Sequence, residues 1–268
     1  MDFVDIFCGI GTIRMGMEKA GHQCIYSIEW DKYKRTIYKT IFGEEPSGSD
    51  IAYVQTNDIP ESDCWCFGFP CTDISIAGNK KGLSGDRSGL FFTVCQLLRE
   101  KKNKPRILLI ENVKNLFSVN NGWDFYRILI ELDEIGYDAE WELINSAEVV
   151  PQNRKRVYIV GHLREKPWNR VFPIRKNAKL SYKTCEKKKE VSPCLRAKSG
   201  GSDIDEVYIS NNGKWRSLTW QEKWRLQSIP ETIIQKVSES KISKTRLCIA
   251  AGDACTVDVI YEIAKKLY

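Results

Sequence analysis

Apolar runs and amphipathic segments alternate along the chain from residue 2 to residue 162. The apolar runs predict short strands at "DFVDIF", "CIYSIE", "DCWCFGF", "RILLIE", "DAEWELIN" and "RVYIVGHL". Helical spacing predicts helices at "TIRMGMEKAG", "DKYKRTIYKTIF", "LFFTVCQLLREKK" and "GWDFYRILIELDEIG". This regular alternation predicts an α/β fold with a doubly wound, mostly parallel sheet.

The pattern changes after residue 162. Residues 163–215 are basic and interrupted by proline and glycine, which predicts a small irregular or β-rich region. Helical spacing returns in "LTWQEKWRLQSI" and again in "CTVDVIYEIAKKLY". We expect a larger domain at 1–162, with a C-terminal helix at 253–268 packed back on it, and a small domain at 163–252.

Composition indicates a soluble globular protein, with 42% hydrophobic and 28% charged residues. No apolar run reaches the length of a membrane span, and the acidic start of the chain argues against a signal peptide. We therefore expect a cytoplasmic protein with reduced thiols and no membrane contact. The "CWC" spacing matches no zinc pattern and the chain has only two histidines, so no metal site is expected.

Positive charge is concentrated in one segment. The chain carries +6 overall, whereas residues 162–200 hold twelve lysines and arginines against three acids, a net +9. A nearly neutral body with one basic segment indicates a polyanionic partner, although a solvated lysine-rich surface would have the same composition.

A glycine turn follows the first predicted strand in "FCGIG", and Glu29-Trp30 follows the second. Glycines there let a ligand approach the backbone, and an acid at the end of the second strand suits the two ribose hydroxyls. Arg14 occupies the third position of the G-x-G-x-x-G fingerprint, which argues against a dinucleotide. The turn is compatible with adenosine carrying a small zwitterionic tail, as in S-adenosylmethionine, or with a plain turn beside a surface acid.

Three polar clusters lie near the ends of later predicted strands: "GFPCTDIS" around Cys71, "ENV" at Glu111, and "PQNRKR" with Arg154 and Arg156. Strand ends of an open α/β sheet meet at one crevice, so these side chains can share a site. The alternatives are a buried structural cysteine for Cys71 and a strand-end salt bridge for Glu111.

Seven segments in order resemble the DNA (cytosine-5)-methyltransferases of bacterial and phage type, and they cover nearly the whole chain except residues 163–215. They are "DIFCGIGTIRMGME", "SIEWDKY", "GFPCTDIS", "ENVKN", "PQNRKRVYIVG", "RSLTWQEKWRLQSIP" and "AGDACTVDVIYEIA". The resemblance implies a class I, Rossmann-like methyltransferase fold that uses S-adenosylmethionine. It also implies methyl transfer to C5 of a cytosine flipped out of duplex DNA.

The resemblance assigns roles to individual residues. The Cys71 thiolate would add to C6 of the cytosine, Glu111 would act at N3, and Arg154 would complete the catalytic set. The expected cofactor contacts are Phe7, Gly9, Ile10, Gly11, Glu29, Trp30, Asp50, Ile51, Pro70, Leu90 and Asp253. The expected DNA contacts are Thr72, Ser75, Lys80, Lys81, Arg87, Arg156, Arg196, Lys198, Ser199 and Gly200. The larger domain would bind the cofactor, and residues 163–215 would form the recognition region.

Two positions depart from the family pattern: Thr72 replaces the usual Gln, and Asp253 replaces the usual Asn. Asp253 would repel the carboxylate of the cofactor's methionine end while attracting its amino group. We expect a monomer that binds double-stranded DNA, associates with the nucleoid when bound, and pairs with a cognate restriction endonuclease. A tRNA methyltransferase and a catalytically silent DNA-binding homologue remain alternatives, as do phage-encoded and orphan roles.

Overall fold

The computed structural model describes residues 1–70, 89–174, 191–197, 207–209 and 215–267. Its strands are β1 (Asp2–Ile6), β2 (Gln23–Ile28), β3 (Cys64–Phe67), β4 (Ile107–Val113), β5 (Tyr137–Asn145), β6 (Lys155–Leu163), β7 (Val207–Ile209) and β8 (Trp215–Ser217). Its helices are α1 (Thr12–Lys19), α2 (Lys32–Phe42), α3 (Leu90–Glu100), α4 (Trp123–Ile135), α5 (Trp220–Arg225), α6 (Glu231–Ser238), α7 (Lys244–Asp253) and α8 (Val257–Ala264).

Six strands form one sheet in the order β2-β1-β3-β4-β6-β5. Neighbours among β1 to β4 pair in parallel, while β6 runs antiparallel to both β4 and β5. The predicted doubly wound, mostly parallel sheet is confirmed. The antiparallel strand arises because no α-helix separates β5 from β6, so the chain turns back directly.

The central strands are buried on both faces, as in a sheet covered by helices on each side. In β3 the side chains alternate: Trp65 and Phe67 belong to one apolar core with α3 and α4. Cys64 and Cys66 belong to a second core with α1 and α8. Because both faces of β3 are buried in an apolar core, "CWCF" carries no charged or amide side chain.

The C-terminal helix α8 packs directly on α1. A side chain at Gly16 would bring its Cβ within 2.5 Å of Ile260 Cβ, so only glycine allows the two helices to lie this close. The C-terminal helix therefore packs on the first part of the chain, as the sequence predicted. The boundaries of the two domains remain a prediction.

Sequence patterns predicted α5 but missed α6 and α7. A third apolar core contains Ile10, which follows β1, and Ile37 of α2. Both pack with Trp224 of α5 and Leu247 of α7. The part of the chain after residue 215 therefore shares a core with the glycine turn and α2. In the described ranges, no helix is both long and apolar enough to cross a membrane.

Candidate active site

The glycine turn connects β1 to α1 in left-handed backbone conformations. Phe7, Gly9 and Gly11 have φ angles of 60°, 59° and 83°. A Cβ at Gly11 would overlap the ring of Phe42, whereas a Cβ at Gly9 would meet no atom of the described residues within 4 Å. Gly11 is therefore required for packing, and the open space at Gly9 leaves the backbone accessible to a ligand. The neighbouring Ile10 side chain is buried in the third core, so only its main chain can face the turn.

Glu29 follows β2 and lies against this turn. Its carboxylate accepts hydrogen bonds from the Gly9 N–H at 2.9 Å and the Asp31 N–H at 2.7 Å. Burial raises the pKa of Glu29, which is 4% exposed. Because a carboxylate oxygen can accept more than one hydrogen bond, Glu29 can still accept hydrogen bonds from the hydroxyl groups of a ligand. Trp30 beside it is 56% exposed and offers an aromatic face.

Asp50 and Ile51 lie in the loop after α2, close along the chain to Gly48. The Glu29 N–H donates to the Gly48 carbonyl at 3.3 Å, which fixes this loop beside the end of β2. Asp50 caps a short turn by accepting from the Ala52 N–H at 3.0 Å, and Ile51 is buried. The structure therefore brings together the predicted residues of the turn, β2 and this loop.

Pro70 and Leu90 flank the segment 71–88, which lies outside the described residues together with Cys71. The Phe69 and Phe91 rings pack against each other with centroids 5.2 Å apart. The two flanks therefore meet at the beginning of α3, with Leu90 packed against the first core.

Glu111 lies in β4 beside the segment that leads to Cys71. Its carboxylate pairs with the Arg156 Nε at 3.1 Å, and both side chains are largely buried. A Cβ at Gly68 would lie 3.2 Å from Glu111 Oε2, so glycine allows this close approach. The adjacent Asn112 donates to the Phe69 carbonyl at 3.2 Å and holds the same segment. The strand-end salt bridge considered for Glu111 is thus present.

Arg154 contacts main-chain carbonyls and the Cys194 sulfur rather than Glu111. Its guanidinium donates to the carbonyls of Leu195 at 3.0 Å, Gly252 at 3.0 Å and Ala254 at 2.9 Å. Only 1% of the residue is exposed, and burial together with the Arg156 charge lowers its pKa. These contacts fasten the 191–197 segment to the end of α7. The expected catalytic role of Arg154 stays a prediction, and the described contacts are structural.

A buried polar network next to Arg154 was not singled out in the sequence. Gln152 accepts from the Leu195 N–H at 3.1 Å and donates to the Leu226 carbonyl at 2.7 Å. Gln227 donates to the Ala251 carbonyl at 2.7 Å. The glutamine within "PQNR" was the available signal, while nothing local marks Gln227 as buried.

The end of α7 lies against the basic segment. A Cβ at Gly252 would overlap the main chain of Arg196 and Ala197, so the two backbones are in direct contact. Arg196 is exposed. Asp253 forms an ion pair with Lys34 of α2 at 2.8 Å, and Lys34 was missed in the sequence analysis. The remaining predicted DNA contacts lie outside the described residues: Thr72, Ser75, Lys80, Lys81, Arg87, Lys198, Ser199 and Gly200.

Solved structures share this fold. The Dnmt2 methyltransferase of S. pombe superposes with a TM-score of 0.75 over 98% of this chain and 97% of that chain, at 18% identity. A putative DNA modification methyltransferase encoded within an E. coli prophage superposes with a TM-score of 0.68 over 99% and 98%, at 16% identity. At these identities the likeness concerns the fold alone.

Curated relatives are closer in sequence. The type II methyltransferase M.NgoBI of Neisseria gonorrhoeae is 32% identical over 98% of this chain and 92% of its own length. M.HaeII of Haemophilus aegyptius is 34% identical over 97% and 91%. M.HhaI of Haemophilus parahaemolyticus is 40% identical over 59% of this chain and 48% of its own length.

The model of the C-5 cytosine-specific DNA methylases matches residues 1–212. This match covers most of the chain, including the glycine turn, Glu29 and Glu111. Together with relatives that align almost end to end, it confirms the resemblance drawn from the seven motifs. The chain belongs to the C-5 cytosine-specific DNA methylase family.

Proposed function

We propose that this protein transfers a methyl group from S-adenosylmethionine to C5 of a cytosine flipped out of duplex DNA, through a covalent bond between Cys71 and C6. The observation that carries the proposal is the packing of Glu111 against Gly68, three residues before Cys71. An acid paired with Arg156 thus stands beside Gly68, in the described residues that lead to the thiol.

The reaction needs a nucleophile because cytosine C5 by itself is too electron-poor to take a methyl group. The Cys71 thiolate adds to C6, forming an S–C bond while electron density moves onto C5 and N3. Glu111 donates a hydrogen bond or proton at N3, and Arg156 stabilises negative charge beside it. After C5 has taken the methyl group, the C5 proton passes to a base. The S–C6 bond then breaks, which restores the thiolate, and any proton taken up at N3 returns to Glu111.

The residues of the crevice fit the proposed methyl donor. Glu29, fixed by two N–H groups, suits the ribose hydroxyls, Trp30 suits the adenine ring, and the open backbone at Gly9 admits the ligand. When bound, this donor supplies a methyl group activated by an adjacent sulfonium.

Duplex DNA is the substrate class of the family, and charge supports it here. The net +9 of residues 162–200 provides cations for backbone phosphates, and Arg196 in this segment is exposed. The relatives are named type II methyltransferases. We infer a cytoplasmic monomer that works beside a cognate restriction endonuclease.

Trapping on 5-fluorocytosine tests the covalent step, because fluorine at C5 cannot leave as a proton does. With S-adenosylmethionine and duplex DNA carrying this base, wild type should form a complex that survives denaturation, and Cys71→Ala should form none. An adduct retained in Cys71→Ala would contradict the proposal. Adducts formed on tRNA but not on duplex DNA would support the RNA alternative instead.

A further inference from the structure

Lys34 and Asp253 form an ion pair at the rim of the proposed cofactor crevice. Lys34 Nζ lies 2.8 Å from Asp253 Oδ2, and the two side chains are 25% and 40% exposed. Lys34 lies in the first turn of α2 and Asp253 is the last residue of α7. Two elements far apart in the sequence therefore place opposite charges in contact at one partly exposed position.

Asp253 lies close to the glycine turn. The Cys255 N–H, two residues further on, donates to Thr12 Oγ1 at 3.1 Å. Thr12 is the first residue of α1 and directly follows Gly11. The end of α7 is therefore hydrogen-bonded to the point where the turn becomes helix, and Asp253 stands beside it.

Lys34 lies close to Glu29 on the other side. The Asp31 carboxylate caps α2 by accepting from the Lys34 N–H at 3.0 Å, and the Asp31 N–H donates to Glu29. Burial lowers the pKa of Lys34, but the carboxylates of Asp253 and Glu29 outweigh it and raise the pKa. The Lys34 ammonium thus pairs with Asp253 and also feels the charge of Glu29.

We propose that Lys34 and Asp253 together bind the α-amino acid group of the methyl donor, with the Lys34 ammonium facing the α-carboxylate and the Asp253 carboxylate facing the α-ammonium. This inference rests on the proposed use of S-adenosylmethionine. The Lys34–Asp253 pair has no net charge, and neither has the amino acid group. Binding therefore replaces one ion pair by two, Lys34 with the α-carboxylate and Asp253 with the α-ammonium, and leaves no charge without a partner. Lys34 also offsets the repulsion that Asp253 alone would exert on the α-carboxylate.

Two ligands separate this role from a general effect on the crevice. S-adenosylhomocysteine carries the amino acid group, whereas 5′-methylthioadenosine shares the adenosine and sulfur but lacks both charges. Calorimetry on Lys34→Met and Asp253→Asn should show S-adenosylhomocysteine binding weakened about tenfold in each variant, the scale of one charge-assisted hydrogen bond. Binding of 5′-methylthioadenosine should be unchanged. Lys39→Met serves as the control because Lys39 lies on the same helix and pairs with Glu45.

Three results would overturn the inference. The first is an unchanged affinity for S-adenosylhomocysteine in both variants, and the second is an equal loss for both ligands, which would mean a structural role. In either case binding by wild type leaves the proposed donor standing. The third is wild type that binds neither ligand, which would overturn the proposed donor and this inference together.

Discussion

At the scale of single residues, Glu111 carries the proposed chemistry among the described side chains. It is held by Arg156 at 3.1 Å and lies against Gly68. Glu111→Gln keeps the shape but removes the acid, so the methylation rate should fall by about a hundredfold or more. Single-turnover transfer of labelled methyl groups to duplex DNA measures this rate.

The Glu111 prediction has a matched control in Glu45→Gln, since Glu45 forms ion pairs on the surface of α2. This control should methylate at the wild-type rate. S-adenosylhomocysteine affinity should stay the same in Glu111→Gln, which shows that the crevice is intact. A Glu111→Gln variant with full activity would contradict the assigned role.

Asp5 makes a prediction about pH at the same scale. Both carboxylate oxygens are buried, and this burial raises the pKa of Asp5 to about 8 although the Arg14 main chain and charge favour the carboxylate. An unfolded Asp has a pKa of about 3.9, so between these values the folded protein binds the extra proton. Stability from this group is complete below pH 4 and is lost as the pH rises towards 8.

Asp5→Asn should remove that pH dependence. The free energy of unfolding of the variant, relative to wild type, should rise between pH 5 and 8 by up to about 1.4 kcal/mol per pH unit. Chemical denaturation at four pH values measures it, with the exposed Asp2→Asn as control. A constant difference between variant and wild type would mean that Asp5 does not titrate in this range.

At the scale of elements, contact between α7 and the 191–197 segment depends on Gly252. Any Cβ there would overlap the backbone of Arg196 and Ala197. Gly252→Ala should destabilise the protein by about 1–3 kcal/mol, the usual range for overpacking. Thermal and denaturant unfolding measure the change, and Thr245→Ala, an exposed position of the same helix, should be near neutral. Wild-type stability in Gly252→Ala would show that the segment can move away without loss.

Elements differ in how far the sequence predicts them. The six sheet strands follow from apolar runs, and the helices α1 to α5 and α8 follow from helical spacing, because each packs on a large core. Helices α6 and α7 were missed because each buries few large apolar side chains: Ile234 and Val237 in α6, and Leu247 with two alanines in α7. Their stability comes from a core shared with Ile10 and Ile37, contacts that no local pattern reveals.

At the scale of the whole molecule, the positive charge is unevenly distributed: residues 162–200 carry a net +9, while the rest of the chain is nearly neutral. DNA affinity should fall steeply with salt because neutralised phosphates release counterions. Replacing Lys187, Lys188 and Lys189 by Gln should weaken DNA binding and reduce the slope of log affinity against log salt. The same change at Lys19, Lys39 and Lys102 should leave the slope unaltered. Equal slopes for both triple variants would contradict a DNA-binding role for the basic segment.

The candidate site was predictable where motifs mark it and unpredictable where contacts are long-range. Glu29 and Glu111 each end or follow a predicted strand, so their position at the same edge of the sheet follows from the parallel pairing of β1 to β4. Glu111 pairs with Arg156 rather than Arg154 because the Arg154 side chain is buried against the carbonyls of Leu195, Gly252 and Ala254. The motif "PQNRKR" does not reveal which arginine takes which partner. The Lys34–Asp253 pair joins positions more than two hundred residues apart, so only the fold reveals it.

The most direct measurement of the central claim is the position of methyl groups on DNA. Wild type and Cys71→Ala are incubated with unmethylated duplex DNA and S-adenosylmethionine, and the product is read by bisulfite sequencing. We expect 5-methylcytosine at one position of a recurring short sequence with wild type, and unmodified cytosine with Cys71→Ala. Methylation by Cys71→Ala at the wild-type level, or none by a folded wild type that binds both donor and DNA, would contradict the account.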